Sequence, residues 1–289
     1  MRPVKIGDRL VGPSHPTFIV AEIGINHNGD VELAKKLIGA AAASGCDAVK
    51  FQKRTIEVVY TPEELARPRE SPFGATNGDL KRGLEFGYDQ YAEIDRFCRS
   101  LGIMWFASCW DKGSVDFIEV FDPPCYKIPS ACLTDDDLLR LHRHTGRPIV
   151  LSTGMSTIEQ IDHAVEVLGR ENLILLHCTS AYPSKIEELN LKLIPRLVER
   201  YDMPIGYSGH EVGLYTTLAA VVLGACVVER HVTLDRALWG SDQAASVEPH
   251  GIARLLKDIR AVQIAMGDGV KRVYESEIPV MHKLRRVGV

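Results

Sequence analysis

Eight short apolar segments, regularly spaced along the 289-residue chain, constrain its fold more than any other feature. Each contains at least one β-branched residue, and most are apolar at successive positions, as expected for strands that are buried on both faces. Most gaps between them have the length of one strand–helix unit, and one longer gap holds extra material. The predicted strands are residues 18–24, 48–52, 103–109, 125–130, 148–153, 173–179, 203–208 and 227–233.

Helical patterns fill the gaps between these segments. Asp30 precedes an amphipathic stretch that ends at Gly45, and a last amphipathic stretch covers residues 252–267. Eight strands that alternate with helices predict an α/β fold, the (β/α)₈ TIM barrel. A doubly wound open sheet is the alternative, but neither GxGxxG nor GxxxxGK[ST] occurs in the sequence.

The domain organisation is predicted to be simple. Residues 1–16 are expected to form a short hairpin or plug at the N-terminal end of the barrel, and residues 17–289 to form a single barrel domain. Residues 66–83, in the long gap, are polar and rich in Gly and Pro, which predicts a loop.

Composition excludes several classes of protein. The net charge of −4 gives no excess of positive charge for nucleic acid or anionic lipid. The sequence contains no apolar signal core and no run long enough to span a membrane, so we expect a cytoplasmic protein. The seven cysteines are scattered without CxxC spacing, which indicates reduced thiols and not a disulfide framework.

Polar side chains concentrate where the predicted strands end, which is where TIM barrels place their active sites. One polar strand end means little, but a complete ring of them indicates a polar pocket. The residues in this ring for which we predict substrate contacts are Lys50, Gln52, Lys53, Ser108, Lys127, Ser130, Ser152, Thr179, Ser180, Tyr182 and Glu229. Two lysines at inner strand ends, together with hydroxyl groups, suit a small dianion; salt bridges to neighbouring acids are the alternative.

Two further groups of residues suggest a metal and a loop over the mouth. His210 and His231 follow neighbouring strands and, with Glu22 or Asp242, would suit Mn²⁺, Fe²⁺, Co²⁺ or Zn²⁺; purely structural histidines are the alternative. Residues 239–249 follow the last strand and contain Asp242, Gln243 and Ser246, which suit sugar hydroxyl groups. The alternative for this segment is a capping loop for the last helix.

Taken together, these segments resemble the sialic acid synthases, which make N-acetylneuraminate and related nonulosonates from phosphoenolpyruvate and an N-acetylated hexose. The matching segments are AEIGINHNGD (21–30), DAVKFQ (47–52), YKIPSACLTD (126–135), LSTGMST (151–157), LHCTSAYP (176–183), IGYSGHE (205–211), VERHVTLDR (228–236) and GSDQAASVEP (240–249). Each is weak alone, but their combination is specific and covers residues 17–277.

The resemblance implies a role for each residue of the ring. Phosphoenolpyruvate would be bound by Lys50, Lys127, Ser130, Ser152 and Ser180. A divalent ion, Mn²⁺ with Mg²⁺ or Co²⁺ as alternatives, would be bound by His210 and His231. The acceptor aldose would contact Glu22, Gln52, Tyr182, Glu229 and Asp242, and Glu22 and Asp242 are the candidates for proton transfer. The resemblance also implies a homodimer.

The acceptor is less well defined than the reaction. Members of this family usually carry a C-terminal antifreeze-like domain that provides an arginine to the acceptor, and this chain stops at Val289. A residue of the 66–83 loop, a separate lid protein or a different acceptor would each account for this. The remaining alternatives are the same chemistry on another aldose, a pyruvate aldolase or lyase, and a non-catalytic barrel that binds a sugar acid.

Overall fold

The computed structural model describes residues 1–288, and Val289, the last residue of the predicted barrel segment, lies outside the described residues. Twelve strands are present in this part of the chain. They are β1 (Val4–Ile6), β2 (Arg9–Val11), β3 (Phe18–Gly24), β4 (Ala48–Lys53), β5 (Pro68–Ser71), β6 (Gly74–Thr76), β7 (Met104–Cys109), β8 (Tyr126–Ile128), β9 (Ile149–Ser152), β10 (Leu173–Cys178), β11 (Ile205–Gly209) and β12 (Val227–His231).

Twelve α-helices accompany the strands. They are α1 (Val31–Ser44), α2 (Ile56–Val59), α3 (Pro62–Ala66), α4 (Asn77–Leu84), α5 (Tyr88–Leu101), α6 (Lys112–Glu119), α7 (Asp136–His144), α8 (Ile158–Leu168), α9 (Leu193–Tyr201), α10 (Tyr215–Val222), α11 (Pro249–Ala265) and α12 (Ile278–Leu284). Within residues 1–288, no helix combines the length and the apolar character needed to span a membrane.

The predicted (β/α)₈ barrel is confirmed. Strands β3, β4 and β7 to β12 form one closed parallel barrel, in which β12 pairs with β3 and closes the ring. Each of the eight predicted strands overlaps one of these eight. Local signals fix the helix ends: the Asp30 side chain accepts hydrogen bonds from the first turn of α1, and Gly45 ends that helix at a φ of 87°.

The prediction of a loop at residues 66–83 is wrong. This segment forms an exposed β5–β6 hairpin followed by α4. Thr76 and Asp79 explain the helix, because each side chain accepts a hydrogen bond from the other's backbone N–H in a capping box. The Gly and Pro residues in this segment therefore mark the turns between short elements.

The N-terminal hairpin is present and fills one end of the barrel. Strands β1 and β2 pair antiparallel, and Val4, Ile6 and Val11 are buried. These three side chains pack against apolar residues near the start of the barrel strands, such as Phe18 and Ala48. Burial of this apolar layer closes the N-terminal end and leaves the C-terminal end for chemistry.

A fully buried ion pair lies between the barrel wall and the helix layer, behind the end of β11. Arg230 Nη1 lies 3.1 Å from Glu211 Oε1, and the two side chains are 1% and 0% exposed. The hydroxyl groups of Tyr207 and Thr216 also donate to the Glu211 carboxylate, and Arg230 donates to the Glu211 backbone carbonyl. These contacts fix the backbone directly after His210.

We predict that Arg230→Met lowers the free energy of unfolding by about 3–5 kcal/mol, because Glu211 would remain buried without its cation. Tyr207→Phe removes a single hydrogen bond from the same carboxylate and should cost about 1 kcal/mol. Urea unfolding followed by circular dichroism measures both values. Equal, small losses for the two variants would contradict the account.

Candidate active site

The inward-facing positions of the barrel change from apolar to polar towards its C-terminal end. Because side chains alternate along a strand, residues two positions apart face the same side. The apolar residue and the polar residue that follows it on the same inner face are Val20 and Glu22, Ala48 and Lys50, Phe106 and Ser108, Cys125 and Lys127, and Val150 and Ser152. The polar layer surrounds a cavity of about 190 Å³, the reaction cavity.

Most of the predicted site residues line the reaction cavity. Those that do are Glu22, Lys50, Gln52, Ser108, Lys127, Ser130, Ser152, Ser180, Tyr182, His210, Glu229 and His231. The lining also contains residues that the sequence analysis did not select, namely Trp110, Pro129, Ala131, Met155, Cys178 and Ser208. Strand alternation would have found Ser208, which lies two residues before His210.

Lys50 lies between two buried carboxylates, Glu22 and Glu229. Its Nζ atom lies 2.9 Å from Glu22 Oε2 and 3.7 Å from Glu229 Oε2, and it donates to Ser108 Oγ at 3.0 Å. The side chain is buried, which alone would lower its pKa, but the two carboxylates outweigh burial and raise the pKa of Lys50. Lys50 therefore stays charged.

The two carboxylates beside Lys50 differ in their pKa values. Burial raises the pKa of Glu22 to about 7, despite the nearby Lys50. Burial would do the same to Glu229, but Lys50 and Lys127 outweigh it and lower the pKa of Glu229 to about 2. Two carboxylates that share a cation are thus separated into one that readily holds a proton and one that stays ionised.

Lys127, unlike Lys50, forms no ion pair with a carboxylate of residues 1–288. Its Nζ donates to Ser152 Oγ at 2.6 Å and to the Ile128 carbonyl at 3.1 Å, and neither acceptor is charged. Burial lowers the pKa of Lys127, and Glu229 offsets this only in part. A buried ammonium group bound to neutral oxygens is a strong attractant for an anion.

Gly154 forms a cradle next to Lys127. Its N–H donates to Ser130 Oγ at 3.0 Å and to Cys178 Sγ at 3.2 Å. A Cβ atom at position 154 would lie 2.2 Å from Ser180 Oγ and 2.9 Å from Ser130 Oγ, so only glycine allows the backbone to approach these hydroxyl groups. Hydroxyl groups and a backbone N–H therefore converge at one side of the cavity.

The opposite side of the cavity carries the two predicted metal ligands. The ring centroids of His210 and His231 are 5.4 Å apart, and Tyr182 packs against His210 at 4.1 Å. His210 Nδ1 lies 2.8 Å from the Thr179 carbonyl, so Nδ1 carries the proton and Nε2 keeps its lone pair. Burial lowers the pKa of His210 to about 4 and also lowers the pKa of His231.

These histidines fit the donor set that a transition-metal ion requires, since both imidazoles are neutral near pH 7. His231 Nδ1 is buried without a hydrogen-bond partner in the described chain, and it lies 3.7 Å from Asp242 Oδ2. No group of three or more His, Cys, Asp or Glu side chains within residues 1–288 is arranged to hold a metal by itself.

Five predicted site residues lie outside the lining of the reaction cavity. Lys53 Nζ donates to the Phe86 carbonyl at 2.8 Å, because strand alternation turns Lys53 away from the side that Lys50 and Gln52 face. The Thr179 hydroxyl donates to the Glu188 carbonyl, and its own carbonyl orients His210. The remaining three, Asp242, Gln243 and Ser246, belong to the segment that follows β12.

Gln243 and Ser246 hold that segment in place. Ser246 Oγ accepts from Asn26 Nδ2 at 2.8 Å and donates to the Asp242 carbonyl at 2.7 Å. Gln243 Oε1 accepts a hydrogen bond from Thr233. These contacts join the loop after β3 to the loop after β12 and place the Asp242 carboxylate beside His231.

Comparison with known proteins identifies the family of this chain. The model of the NeuB family matches residues 37–271. N-acetylneuraminate-9-phosphate synthase of Homo sapiens is 40% identical over 281 residues, which cover 96% of this chain and 78% of that protein. N,N'-diacetyllegionaminic acid synthase of Legionella pneumophila is 35% identical, with 95% of this chain and 80% of that protein covered.

A solved structure of a sialic acid synthetase is also similar to this chain. The crystal structure of N-acetylneuraminic acid (sialic acid) synthetase from Leptospira borgpetersenii in complex with citrate superposes with a TM-score of 0.86. Its sequence is 30% identical, and the match covers 99% of this chain and 98% of that one. The chain therefore belongs to the NeuB family, and it is an enzyme of the sialic acid synthase group, a transferase.

Proposed function

We propose that this enzyme condenses phosphoenolpyruvate with the open-chain aldehyde form of an N-acetylated hexose, giving a nonulosonic acid and inorganic phosphate. The observation that carries the proposal is the pair of buried lysines, Lys50 and Lys127, at the bottom of a polar cavity. A small substrate with a carboxylate and a phosphate group supplies the negative charge that Lys127 lacks, since Lys50 already contacts Glu22 and Glu229.

The phosphate and carboxylate groups of phosphoenolpyruvate would lie on the side of Lys127. Ser130, Ser152 and Ser180 supply hydroxyl donors there, and Gly154 leaves the room that a larger residue would fill. An anion beside Lys127 would offset the burial that lowers the pKa of this lysine. Binding is thus expected to be strongest for the charged form of Lys127.

The aldehyde would lie on the opposite side, near His210 and His231. These two imidazoles would hold a divalent ion, Mn²⁺ with Mg²⁺ or Co²⁺ as alternatives, which supplies Lewis acidity towards the aldehyde oxygen. Glu22 and Asp242 would hold or transfer protons. The position of Glu22 in the cavity lining and of Asp242 beside His231 supports this role.

The proposed reaction forms a C–C bond to the aldehyde carbon and a C–O bond to water, and it breaks the C–O bond that joins C2 to the phosphate. C3 of phosphoenolpyruvate attacks the aldehyde carbon, and water adds to C2. The resulting tetrahedral centre expels phosphate together with the oxygen that had bridged C2 and phosphorus. Water loses two protons in all: one is gained by the oxygen of the new alcohol, and the other leaves with the phosphate. Glu22, whose pKa burial raises to about 7, and Asp242 would carry these protons.

For the acceptor sugar we propose a chemical class, the N-acetylated hexoses, and not one compound. The relatives named above make different nonulosonic acids, so the common part of their acceptors is the N-acetylated sugar skeleton. Gln52 and Tyr182 line the cavity and would offer polar groups to sugar hydroxyls, and Tyr182 also packs against His210. Gln243 and Ser246 would contribute indirectly, by holding the loop that carries Asp242.

The direct test measures inorganic phosphate released from phosphoenolpyruvate with Mn²⁺, with and without N-acetylmannosamine. We expect release that depends on the sugar, because the enol carbon must react before the C–O bond breaks. Other N-acetylated hexoses form a parallel panel. Release that is equal with and without every sugar would contradict condensation and indicate simple hydrolysis.

We also predict that Lys127→Met stabilises the ligand-free protein by about 1–2 kcal/mol while it abolishes the thermal stabilisation produced by phosphoenolpyruvate. A methionine fills the space of the lysine stem without a buried charge. The pKa of Lys127 is lowered in the folded state, so its cost to stability is complete at pH values below that lowered pKa. The gain from the substitution should therefore shrink as the pH rises towards the ordinary lysine value of 10.5.

Urea unfolding at several pH values and thermal shifts with phosphoenolpyruvate provide the two readouts. The matched control is Lys36→Met, because Lys36 is an exposed lysine on α1. It should change neither readout. A Lys127→Met protein that is stabilised by phosphoenolpyruvate as much as the parent would remove Lys127 from the anion site.

A further inference from the structure

Met155, in the loop after β9, has a backbone conformation that a residue with a long side chain rarely adopts. Its φ of 58° lies in the left-handed region, where the Cβ atom crowds the backbone. The five other non-glycine residues of 1–288 with a positive φ are all Asn or Asp, which tolerate this region: Asn28, Asp122, Asn172, Asn190 and Asp202. Met155 is therefore the exception, and its strain persists only because the surrounding structure imposes it.

Hydrogen bonds on both sides of Met155 impose this conformation. On the N-terminal side, the Thr153 hydroxyl donates to the Leu176 carbonyl at 3.0 Å. On the C-terminal side, Thr157 begins α8 in a capping box with Gln160, in which the backbone N–H of each residue donates to the side-chain oxygen of the other. Both ends of this short turn are therefore fixed, and Met155 keeps its left-handed conformation between them.

The turn brings Met155 to the Lys127 side of the reaction cavity. Met155 lines this cavity and is nevertheless 69% exposed. It directly follows Gly154, whose N–H donates to Ser130 Oγ, and β9 before it ends at Ser152, whose hydroxyl accepts from Lys127. An exposed apolar side chain thus lies next to the groups that would bind phosphoenolpyruvate.

Other apolar residues line the same side of the cavity. Trp110 follows β7, Pro129 and Ala131 follow β8, and Met155 follows β9, and these three strands are neighbours in the barrel. We call these four residues the apolar rim. Trp110 and Pro129 are half-buried, whereas Met155 is exposed and has a long, flexible side chain. Met155 is thus the member of the rim that can move to cover a ligand beside Lys127.

We propose that the Met155 side chain folds over bound phosphoenolpyruvate and limits its contact with bulk water, so that Met155 favours condensation over hydrolysis. This inference rests on the proposed function for the identity of the bound anion. Covering the ligand removes apolar surface of Met155 from water, which favours the closed arrangement. Exclusion of bulk water also strengthens the contacts between the anion and Lys127.

The competing reaction is the hydrolysis of phosphoenolpyruvate to pyruvate. In it, C3 gains a proton in place of a bond to the aldehyde carbon, water adds to C2, and the tetrahedral centre expels phosphate through the same C–O cleavage. Of the two protons of that water, one is balanced by the proton on C3 and the other leaves with the phosphate. Condensation also consumes one water molecule, so the side chain limits exchange with bulk water and does not dry the cavity.

Oxidation by hydrogen peroxide tests the cover directly. The sulfur atom of an exposed methionine takes one oxygen atom from peroxide, which becomes water. Saturating phosphoenolpyruvate should slow the oxidation of Met155 about tenfold, as expected if the closed arrangement is favoured by about ten to one. Mass spectrometry measures the extent of oxidation at each methionine. Met266 is the internal control, because it is exposed and does not line the reaction cavity, and its oxidation should not change.

Variants of Met155 separate the cover from the backbone strain. Met155→Ala and Met155→Gly should both raise the share of phosphoenolpyruvate that becomes pyruvate, in the presence of an accepted sugar, by about tenfold, since each loses the apolar contact. Met155→Leu keeps that contact and should stay near the parent. Met155→Gly should melt at a higher temperature than Met155→Ala, because only glycine adopts this φ without strain. Lactate dehydrogenase and NADH measure the pyruvate, and Met266→Ala should match the parent.

The outcomes distinguish this inference from the proposed reaction. Protection of Met155 by phosphoenolpyruvate without condensation of any sugar would support the cover, and the proposed reaction would fail. Condensation without protection of Met155 would overturn the cover and leave the reaction in place. A parental share of pyruvate in both Met155→Ala and Met155→Gly would also overturn the cover, whatever the change in melting temperature.

Discussion

The structure depends on two buried lysines that lie inside a barrel of otherwise ordinary apolar packing. Removing an ammonium group from water costs several kcal/mol, and such a group persists only where partners or ligands compensate it. Lys50 is compensated by Glu22 and Glu229, whereas Lys127 has only neutral oxygens as hydrogen-bond partners. The site therefore carries a positive charge, on Lys127, that a small anion would compensate. This charge lowers the stability of the ligand-free protein and favours binding of the anion.

The rest of the barrel holds the charged site in a fixed geometry. The N-terminal hairpin closes the opposite end of the barrel with apolar side chains, and the polar layer inside the barrel lies at its C-terminal end. The buried Glu211–Arg230 pair fixes the backbone after His210, and the Thr179 carbonyl sets the tautomer of that imidazole. The anion side of the cavity, at Lys127, and the histidine side, at His210 and His231, are therefore held on different strands of one rigid barrel.

Much of this could be predicted from the sequence. Each predicted strand overlaps a barrel strand, because buried parallel strands leave continuous apolar runs that periodicity detects. Strand alternation also brought Lys50, Gln52 and Glu22 to one cavity. Lys53 shows the limit: it directly follows Gln52 in the chain, but one residue along a strand reverses the face, so the same polar run contributes to two environments.

Other features could not be predicted because they depend on contacts between distant segments. The hairpin at 68–76 is made of turn-forming residues, and what orders it is the contact of Phe73 with Gly29 and Gly83. Gln243 and Ser246 have side chains suited to sugars, yet Gln243 is bound by Thr233, ten residues earlier, and Ser246 by Asn26, 220 residues earlier. Composition alone does not distinguish a residue that binds substrate from one that supports the binding loop.

The fate of the bridging oxygen tests the central claim most directly. Phosphoenolpyruvate labelled with ¹⁸O between C2 and phosphorus is turned over with an accepted sugar, and the released phosphate is analysed by ³¹P NMR. C–O cleavage at a tetrahedral centre predicts that the released phosphate keeps the label. Phosphate that lacks the label, with the ¹⁸O left on the C2 ketone carbon, would mean P–O cleavage and would contradict the account.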